Sequence, residues 1–213
     1  LEQGQQLALV GTTGSGKSTI MRLLTKTYEG YDGSILVNGF ELSKLPKLKL
    51  ATLFTMMQQD VFLFEQDVSF NIGLGKVEQN AIIESAKYVY AHDFIEQLPQ
   101  GYNTVLTSAG DQLSNGQKQL ISFARAMTSA GQLMLLDEAT SSIDSVTESL
   151  IQKALERVFQ ERTVIAIAHR LSTIRDSDQI LVLEAGEIIE RGNHDELVDA
   201  KGVYAGLLTE ELE

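Results

Sequence analysis

The sequence contains no cysteine among its 213 residues. This absence excludes disulfide bonds and metal sites built from thiolates. It is typical of proteins that stay inside the cell, although cysteine-free chains also occur elsewhere, so the compartment stays open on this observation alone.

Positive charge is also scarce. The 17 Lys and Arg residues stand against 29 Asp and Glu residues, which gives a net charge of -12. This balance disfavours a broad basic surface of the kind that nucleic acid or anionic lipid requires. Any contact with phosphate must be local.

Long apolar runs are missing as well. No stretch approaches the roughly 18 consecutive apolar residues of a membrane helix. The strongest runs, "LMLL" and "ILVL", have the length of strands. The sequence begins without Met on "LEQGQQLALVG", close to a predicted strand, so we expect it to be a piece of a longer polypeptide.

Short apolar runs alternate with helical patterns along the chain. The predicted buried strands are 7–11, 34–39, 53–57, 133–137, 163–168 and 179–186, and the predicted helices include 17–27, 81–98, 116–127 and 145–159. This alternation is typical of an α/β fold with a parallel sheet. The interval from 62 to 130 holds no convincing strand, so we predict one domain with an inserted helical lobe.

The segment "GTTGSGKS", from Gly11 to Ser18, matches the pattern G-x-x-x-x-G-K-[ST] and lies between a predicted strand and a predicted helix. Gly14 and Gly16 let the backbone wrap a phosphate, and Lys17 neutralises the β and γ oxygens. The hydroxyl of Ser18 can hold Mg²⁺. The alternative is a glycine-rich turn with an incidental lysine, which the flanking strand and helix disfavour.

Acidic residues end the predicted strand "LMLLDE". Asp137 is predicted to reach Mg²⁺, and Glu138 to lie where a water molecule attacks the γ-phosphate. Strands often end in an acidic residue, so this pattern alone is weak evidence. It indicates a nucleotide site because the same chain also has the phosphate loop. His169 ends the next strand and is expected at the same sheet edge, with a structural histidine as the alternative. His92 and His194 have no such context and are assigned no role.

A second candidate anion site begins in "DQLSNGQKQL", residues 111–120. Ser114, Asn115 and Gly116 stand at the start of a predicted helix, where free backbone N–H groups suit a bound anion. Serine is also a favoured helix N-cap, so a plain capped helix is the alternative interpretation.

Five segments together, "GTTGSGKST", "MMQQD", "LSNGQKQ", "LMLLDEATSSID" and "AIAHRLSTI", resemble in order and spacing the nucleotide-binding domain of ATP-binding cassette (ABC) transporters. The resemblance covers essentially the whole chain. "LFTMMQQDVFLFEQDVSFNI", "LPQGYNT" and "EIIERGNHDELV" are similar to segments of exporters with fused membrane domains. The resemblance implies a P-loop NTPase (RecA-like) fold: a parallel-sheet core with an antiparallel β element and an inserted helical signature lobe. Residues 1–61 and 131–213 would form the ATP-binding core and 62–130 the lobe, with the membrane domain outside this sequence.

The resemblance also implies roles for individual residues. The catalytic residues would be Glu138, His169 as the switch histidine, and Gln59 as the Q-loop glutamine, with Gln58 as its alternative. The ligands of Mg²⁺ would be Ser18, Gln59 and Asp137. ATP would be bound by residues of the Walker A loop, the signature motif and the D-loop (141–144), namely Gly11, Thr12, Thr13, Gly14, Ser15, Gly16, Lys17, Ser18, Thr19, Ser114, Asn115, Gly116, Gln117 and Asp144.

The implied function is ATP binding and hydrolysis, with Mg²⁺, at the cytoplasmic face of the cell membrane as part of an integral membrane exporter. The implied partners are a second nucleotide-binding domain and the coupling helices of a fused transmembrane domain, and no nucleic acid. In the family, ATP is bound between the phosphate loop of one domain and the signature of the other, and closure moves the membrane helices. A soluble ABC ATPase of DNA repair or translation is the alternative. A regulatory or kinase-like phosphate-loop protein would not explain Glu138, His169 and a second helix start together.

Two departures from the family pattern lie near the signature. The usual L-S-G-G-Q has Asn115 at its third position, and the preceding segment reads "TSAG" where exporters commonly have G-E-R-G. Lys17, Asp137, Glu138 and His169 agree with the pattern. This asymmetry predicts one half of a heterodimeric exporter whose signature serves a slower site on its partner, with a homodimer as the alternative. The aromatic residue that stacks on adenine in the family would precede Leu1.

Overall fold

The computed structural model describes residues 1–57, 61–107, 110–137, 145–167 and 174–211. The chain forms two compact units, which are described separately. The first comprises Leu1–Met56, Ala130–Glu138 and Arg162–Glu213, and the second comprises Met57–Ser129 and Ala139–Glu161.

The regular elements of the described residues are eight strands and nine α-helices. The strands are β1 (Gln6–Val10), β2 (Leu36–Val37), β3 (Phe40–Glu41), β4 (Phe54–Met57), β5 (Leu133–Asp137), β6 (Thr163–Ile167), β7 (Gln179–Glu184) and β8 (Glu187–Gly192). The helices are α1 (Lys17–Leu24), α2 (Lys47–Leu53), α3 (Val68–Gly73), α4 (Gln79–Tyr88), α5 (His92–Glu96), α6 (Asn115–Thr128), α7 (Ser145–Glu161), α8 (His194–Ala200) and α9 (Val203–Glu211). Short 3₁₀ turns occupy Leu42–Lys44 and Gly101–Asn103.

The first unit is built on a six-stranded sheet with the order β4-β5-β6-β1-β7-β8. Strands β5, β6, β1 and β7 are parallel to one another, and β8 pairs antiparallel with β7. The predicted parallel α/β sheet with an antiparallel element is confirmed. In its register, Leu9 and Asp137 both pair with Ile167 of β6. The end of β5 and the start of the segment after β1 therefore lie at the same edge of the sheet.

Alternate side chains of β1 enter two separate cores, because successive residues of a strand point to opposite faces. Leu9 packs in one core with Met21 of α1 and Leu50 of α2. Ala8 packs on the opposite face in a core that includes Leu197 of α8 and Tyr204 of α9. Both faces of the sheet are covered, so successive residues of a central strand are all buried. This explains why the central strands appear in the sequence as continuous apolar runs.

The prediction of one buried strand over 34–39 is wrong. This stretch contains β2, which forms a two-stranded hairpin with β3, and Leu36 is 63% exposed. Asn38 and Gly39 join the strands with φ values of 51° and 78°. Asn-Gly with positive φ at both residues is the preferred two-residue hairpin turn.

The second unit is helical among its described residues apart from the end of β4 and one isolated bridge between Asp67 and Val105. Helix α6 packs against α3, α4 and α7. Its buried face includes Leu120, Ile121 and Phe123, so apolar residues at helical spacing place α6 in the interior of the unit.

The prediction of one helix over 81–98 is also wrong. Helix α4 ends at Tyr88 and α5 begins at His92. Tyr90 between them has a φ of 62°, and the N–H of Ala91 donates to the carbonyl oxygen of Ala86 at 2.7 Å. A left-handed residue followed by such a backbone bond ends a helix, as in the common C-terminal caps.

A buried asparagine organises the loop that precedes α3. Asn71 is 0% exposed, and its amide donates to the carbonyl oxygens of Phe64 and Asp67, each at 3.0 Å. Arg125 of α6 donates to the carbonyl oxygens of Asn71 and Phe62 at 2.6 and 3.0 Å. Burial lowers the pKa of the Arg125 guanidinium below its ordinary value. The loop is therefore fastened to α6 by a network of polar contacts.

Candidate functional site

The segment from Gly11 to Gly16 connects the end of β1 to the start of α1. Gly11 has a φ of 148°, and a Cβ added there would overlap with the carbonyl oxygen of Leu183 and lie 2.8 Å from Oγ of Ser15. Only glycine fits this position, because the backbone of β7 passes too close for a side chain. Gly14 has a φ of 84° and no atom within 4 Å of an added Cβ, so it faces open space.

The ammonium of Lys17 lies over the loop that precedes it. Its Nζ donates to the carbonyl oxygens of Gly11 and Thr12 at 2.7 and 2.9 Å, and the residue is 7% exposed. Burial lowers its pKa below the ordinary value of 10.5, and the charge of Asp137 partly opposes this shift. A buried ammonium with one nearby carboxylate is favourably placed to receive a further negative charge.

Helix α1 starts without a side-chain cap. Its N-cap residue is Gly16, which offers no side-chain hydrogen bond, and the first turn contains no acidic residue. The N–H groups at such an N-terminus and the positive end of the helix dipole favour an anion. Ser18 and Thr19 are exposed on this first turn. The glycine conformations, the ammonium and the uncapped helix start together fit the triphosphate of a nucleotide.

Asp137 ends β5 and is half-buried. Its charge raises the pKa of Lys17, so the two groups are electrostatic neighbours at the same sheet edge. A hydroxyl on Ser18 and a carboxylate on Asp137 are oxygen ligands of the kind that Mg²⁺ prefers. The donor set therefore fits this ion, with phosphate oxygens and water as the remaining ligands.

The second predicted anion site, in the second unit, is a capped helix start. Ser114 is the N-cap of α6, where its Oγ accepts a hydrogen bond from the N–H of Gln117 at 3.2 Å. The side-chain oxygen of Gln117 accepts from the N–H of Ser114 at 3.0 Å, which completes a capping box. Asn115 is exposed and Gly116 is buried. The capped-helix interpretation therefore describes the local structure, and binding by this segment stays a prediction.

Several predicted site residues lie outside the described residues. They are Gln58, Gln59, Glu138, Asp144 and His169. Their roles stay predictions.

The two histidines without an assigned role each contact a tyrosine ten residues further along the chain. Nδ1 of His92 lies 2.9 Å from the hydroxyl of Tyr102, and Nδ1 of His194 lies 2.9 Å from that of Tyr204. Both tyrosines are buried, so these contacts satisfy buried hydroxyl groups. Burial, followed by the charges of nearby carboxylates, raises the pKa of Tyr102 to about 12.

Sequence reasoning missed the contact of the phosphate loop with the β7–β8 hairpin. Leu183 and Gly186 meet the loop through backbone atoms, and backbone contacts leave no side-chain pattern. The available signal was Gly186 at the end of the predicted strand 179–186, because a glycine at the end of an apolar run indicates a turn.

The comparisons with known proteins agree with this geometry. The family model described as "ABC transporter" matches residues 1–141. The chain belongs to the ABC transporter family. Its fold is that of the P-loop ATPases of this family, and as an ABC ATP-binding domain it is an ATPase.

The relatives of this ABC domain include exporters and flippases. The chain is 48% identical over 212 residues to the uncharacterized ABC transporter ATP-binding protein YfiC of Bacillus subtilis (strain 168), covering 99% of the chain and 35% of that protein. It is 44% identical over 205 residues to a fatty acid ABC transporter ATP-binding/permease protein of Mycobacterium bovis (95% and 32%). It is 44% identical over 209 residues to an ATP-dependent lipid A-core flippase of Saccharophagus degradans (97% and 36%).

A solved structure is similar over the whole ABC domain. A bacterial Atm1-family ABC exporter with ATP bound matches with a TM-score of 0.91 and 38% identity, covering 100% of this chain and 38% of that one. The chain is thus an ATPase domain of the exporter type, and none of these relatives supports the alternative of a soluble ABC ATPase. It spans about a third of the length of the curated relatives. Within the described ranges, no helix has both the length and the apolar composition to cross a membrane.

Proposed function

We propose that this ABC domain hydrolyses ATP with Mg²⁺ as part of a longer exporter at the cytoplasmic face of the cell membrane. The observation that carries the proposal is that the carbonyl oxygens of the phosphate loop hold the ammonium of Lys17, whose pKa is raised by the charge of Asp137. An ammonium held there can move from the loop carbonyls to the β and γ oxygens of a nucleotide. The exporter names of the relatives support the membrane part of the proposal.

In the proposed site the residues of this chain bind the nucleotide phosphates, orient the γ-phosphate and activate the attacking water. The N–H groups of the loop and of the first turn of α1 hold the phosphates, with Lys17 as the charged donor. Ser18, Asp137 and Gln59 would hold Mg²⁺, which would neutralise charge on the phosphate oxygens. Glu138 accepts a hydrogen bond from the attacking water and His169 contacts the γ-phosphate. Each of these groups acts by position and charge, so the loop must be held in one shape.

A second nucleotide-binding domain completes the site in this proposal. The start of α6 in one domain, with Ser114, Asn115 and Gly116, faces the phosphate loop of the other, and Asp144 lies near the contact. Two helix N-termini, one from each domain, then hold one triphosphate. In each domain, residues 1–61 and 131–213 form the ATP-binding core and 62–130 the signature lobe.

The partner is proposed to be a different chain. Asn115 adds a side chain at a signature position that is usually glycine, while the residues of the phosphate loop agree with the family pattern. A domain with a competent ATP side and an altered signature supports one fast and one slow site in a heterodimer. Fused membrane helices, moved by closure of the pair, would select the cargo.

Cysteine cross-linking tests the head-to-tail arrangement. Because the chain has no cysteine, the single-cysteine variants Thr13→Cys and Ser114→Cys can each be mixed with the proposed partner chain, which carries one cysteine at the matching signature or phosphate-loop position. The mixture is then treated with a short bismaleimide. We expect cross-linked dimers only with ATP and Mg²⁺, in a Glu138→Gln background that slows turnover by orders of magnitude while ATP still binds. The control replaces Thr13→Cys by Lys47→Cys, which lies exposed on α2.

Cross-linking within one monomer would contradict the head-to-tail arrangement. A double variant, Thr13→Cys with Ser114→Cys, that cross-links within a single monomer in the presence of ATP would mean that one chain supplies both helix starts to one nucleotide. If neither the wild-type chain nor its Glu138→Gln variant binds ATP in calorimetry, the proposed function itself is wrong.

A further inference from the structure

The phosphate loop rests on the turn between β7 and β8. This turn consists of Ala185 and Gly186, which join the paired residues Glu184 and Glu187. The φ values of the two turn residues are 50° and 87°. Positive φ at both positions is the combination of a type I′ hairpin turn, which alanine occupies only against its steric preference.

Backbone atoms of the β7–β8 hairpin approach the loop at three points. The N–H of Gly186 donates to the carbonyl oxygen of Ser15 with an N–O distance of 3.0 Å. A Cβ added to Gly16 would lie 3.5 Å from Cα of Gly186, and one added to Gly11 would overlap with the carbonyl oxygen of Leu183. The loop therefore meets one hairpin at its start and again near its end.

The position of the turn depends on an irregularity in the hairpin. Val182 pairs with Glu190 but Leu183 pairs with Ile188, so Ile189 is an extra residue on β8. Such a bulge bends the strand and changes where the next residues point. On its other side β7 pairs with β1 only as far as Val182 with Val10. The end of the hairpin thus projects past β1, where the phosphate loop begins.

The hydrogen bond from Gly186 fixes the direction of a neighbouring amide. A trans peptide is planar, and its C=O and N–H groups point in opposite directions. No cis peptide occurs among the residues that the structure describes. Since the carbonyl of Ser15 is turned toward Gly186, the N–H of Gly16 points away from the turn. A phosphate held by the loop requires N–H groups that are not directed into the supporting structure.

We propose that Gly186 is a positioning residue of the ATP site, which fixes the peptide between Ser15 and Gly16 so that the N–H of Gly16 is presented to the phosphates. The inference rests on the proposed function, because it concerns the same site. Gly186 does not touch the nucleotide in this account. It acts through the loop, and only a residue that keeps a positive φ keeps the hydrogen bond.

Substitutions at residue 186 test backbone conformation separately from bulk, since an added Cβ would have no atom within 4 Å. Valine strongly disfavours positive φ, whereas asparagine tolerates it. We expect Gly186→Val to weaken ATP binding about tenfold, a change that calorimetry measures easily. Gly186→Asn should stay within about threefold of wild type, because the turn conformation is kept. Ala185→Gly is the matched control, which keeps the N–H of Gly186 and should leave the affinity unchanged.

A second readout observes the amide directly. In the 213-residue chain labelled with ¹⁵N-glycine, the resonance of Gly16 should shift on addition of ATP in the wild type and in Gly186→Asn, and shift less in Gly186→Val. A purely structural role of the turn would lower the melting temperature of Gly186→Val and leave both the affinity and this shift unchanged. That outcome would overturn the proposal.

A failure of Gly186→Val to fold and a failure of the wild-type chain to bind ATP have different consequences. If Gly186→Val does not fold, Gly186→Ala is the milder change, and wild-type affinity in that variant together with an unaltered Gly16 shift would overturn the proposal. If the wild-type chain does not bind ATP, the proposed function fails first. Loss of affinity confined to variants that disfavour positive φ supports the positioning role.

Discussion

Ser114 and Gln117 exchange two hydrogen bonds at the start of α6, from the N–H of Gln117 to Oγ of Ser114 and from the N–H of Ser114 to Oε1 of Gln117. This capping box stabilises the helix whether or not a phosphate binds there. Its presence means that loss of function in a Ser114 variant has two explanations, a frayed helix or a lost ligand contact, and the variants must separate them.

Ser114→Asp separates the cap from the ligand contact. Aspartate caps helices as well as serine does, so the free energy of unfolding should stay within about 0.5 kcal/mol of wild type. The added negative charge should repel the γ-phosphate of the partner's nucleotide and abolish ATP-dependent association. Ser114→Ala should lose about 1 kcal/mol of stability instead. Urea denaturation and size-exclusion chromatography measure the two effects, and ATP-dependent association of Ser114→Asp at the wild-type level would contradict the clamp.

The buried ammonium of Lys17 predicts a pH dependence of ATP binding. Burial lowers its pKa below 10.5 in the nucleotide-free site, and the negative phosphates raise it again on binding. Binding is therefore linked to proton uptake, and the affinity should fall once the pH rises above the lowered pKa of Lys17 in the nucleotide-free site, by at most about tenfold per pH unit. Calorimetry from pH 8 to pH 10 measures the slope.

Lys17→Arg is the control for that pH dependence. Arginine stays charged throughout this range. The ATP affinity of the Lys17→Arg variant should be lower than that of the wild type at pH 8 but nearly constant up to pH 10. A slope in the arginine variant equal to that of the wild type would assign the pH dependence to another group.

Gly11 and Gly14 should respond differently to alanine. A Cβ on Gly11 meets the carbonyl oxygen of Leu183, whereas one on Gly14 meets nothing within 4 Å. Gly11→Ala should cost about 1 to 3 kcal/mol of stability from overpacking and strain. Gly14→Ala should cost about 1 kcal/mol from its positive φ alone. Urea denaturation of both variants measures the difference, and equal losses would mean that the contact with β7 is not a constraint.

Asn115→Gly tests the altered signature. Asn115 is exposed at the first position of α6, so its removal should change stability by no more than about 1 kcal/mol. With the proposed partner present, the glycine variant should hydrolyse ATP faster at the site that this signature serves. Asn115→Ala also lacks the amide, and its rate of ATP hydrolysis should lie between those of the wild type and Asn115→Gly. Unchanged hydrolysis and nucleotide occlusion at that site would remove the support for a slow site.

Arg125→Met should destabilise the chain. The guanidinium donates to the carbonyl oxygens of Asn71 and Phe62, and methionine would leave these acceptors without this donor. The expected loss is about 2 to 3 kcal/mol in urea denaturation. Arg22→Met is the control, because Arg22 lies exposed and bonds the hydroxyl of Tyr28, and it should change stability by less than about 0.5 kcal/mol. Equal effects would mean that the Asn71 contacts contribute little.

The sequence predicted those parts of the fold whose side chains carry the information. The strands at 133–137 and 7–11 are buried on both faces and therefore form continuous apolar runs. Strand β8 was missed because Glu187, Glu190 and Arg191 interrupt its pattern at an exposed sheet edge. The break at Tyr90 was missed because a left-handed residue there depends on tertiary contacts rather than on glycine.

For the candidate site too, the sequence predicted the features that depend on side chains and missed one that depends on the backbone. The pattern of Gly11, Lys17 and Asp137 was readable, because Gly11 has no room for a side chain and the other two carry the charged groups that the proposed phosphate and cation sites need. The support that Gly186 gives to Ser15 was not readable, since a backbone donor is available at almost any residue. What aims that donor is the bulge in the β7–β8 hairpin, which is a property of strand register.

The Asn71 network has a mechanical consequence for the exposed aromatic ring of Phe62. That residue stands three positions after Gln59, the predicted sensor of the nucleotide, and its carbonyl is pinned by Arg125. Because Arg125 belongs to α6, this hydrogen bond couples the position of Phe62 to that helix. A change in the backbone at Phe62 that keeps the bond therefore requires Arg125 to follow.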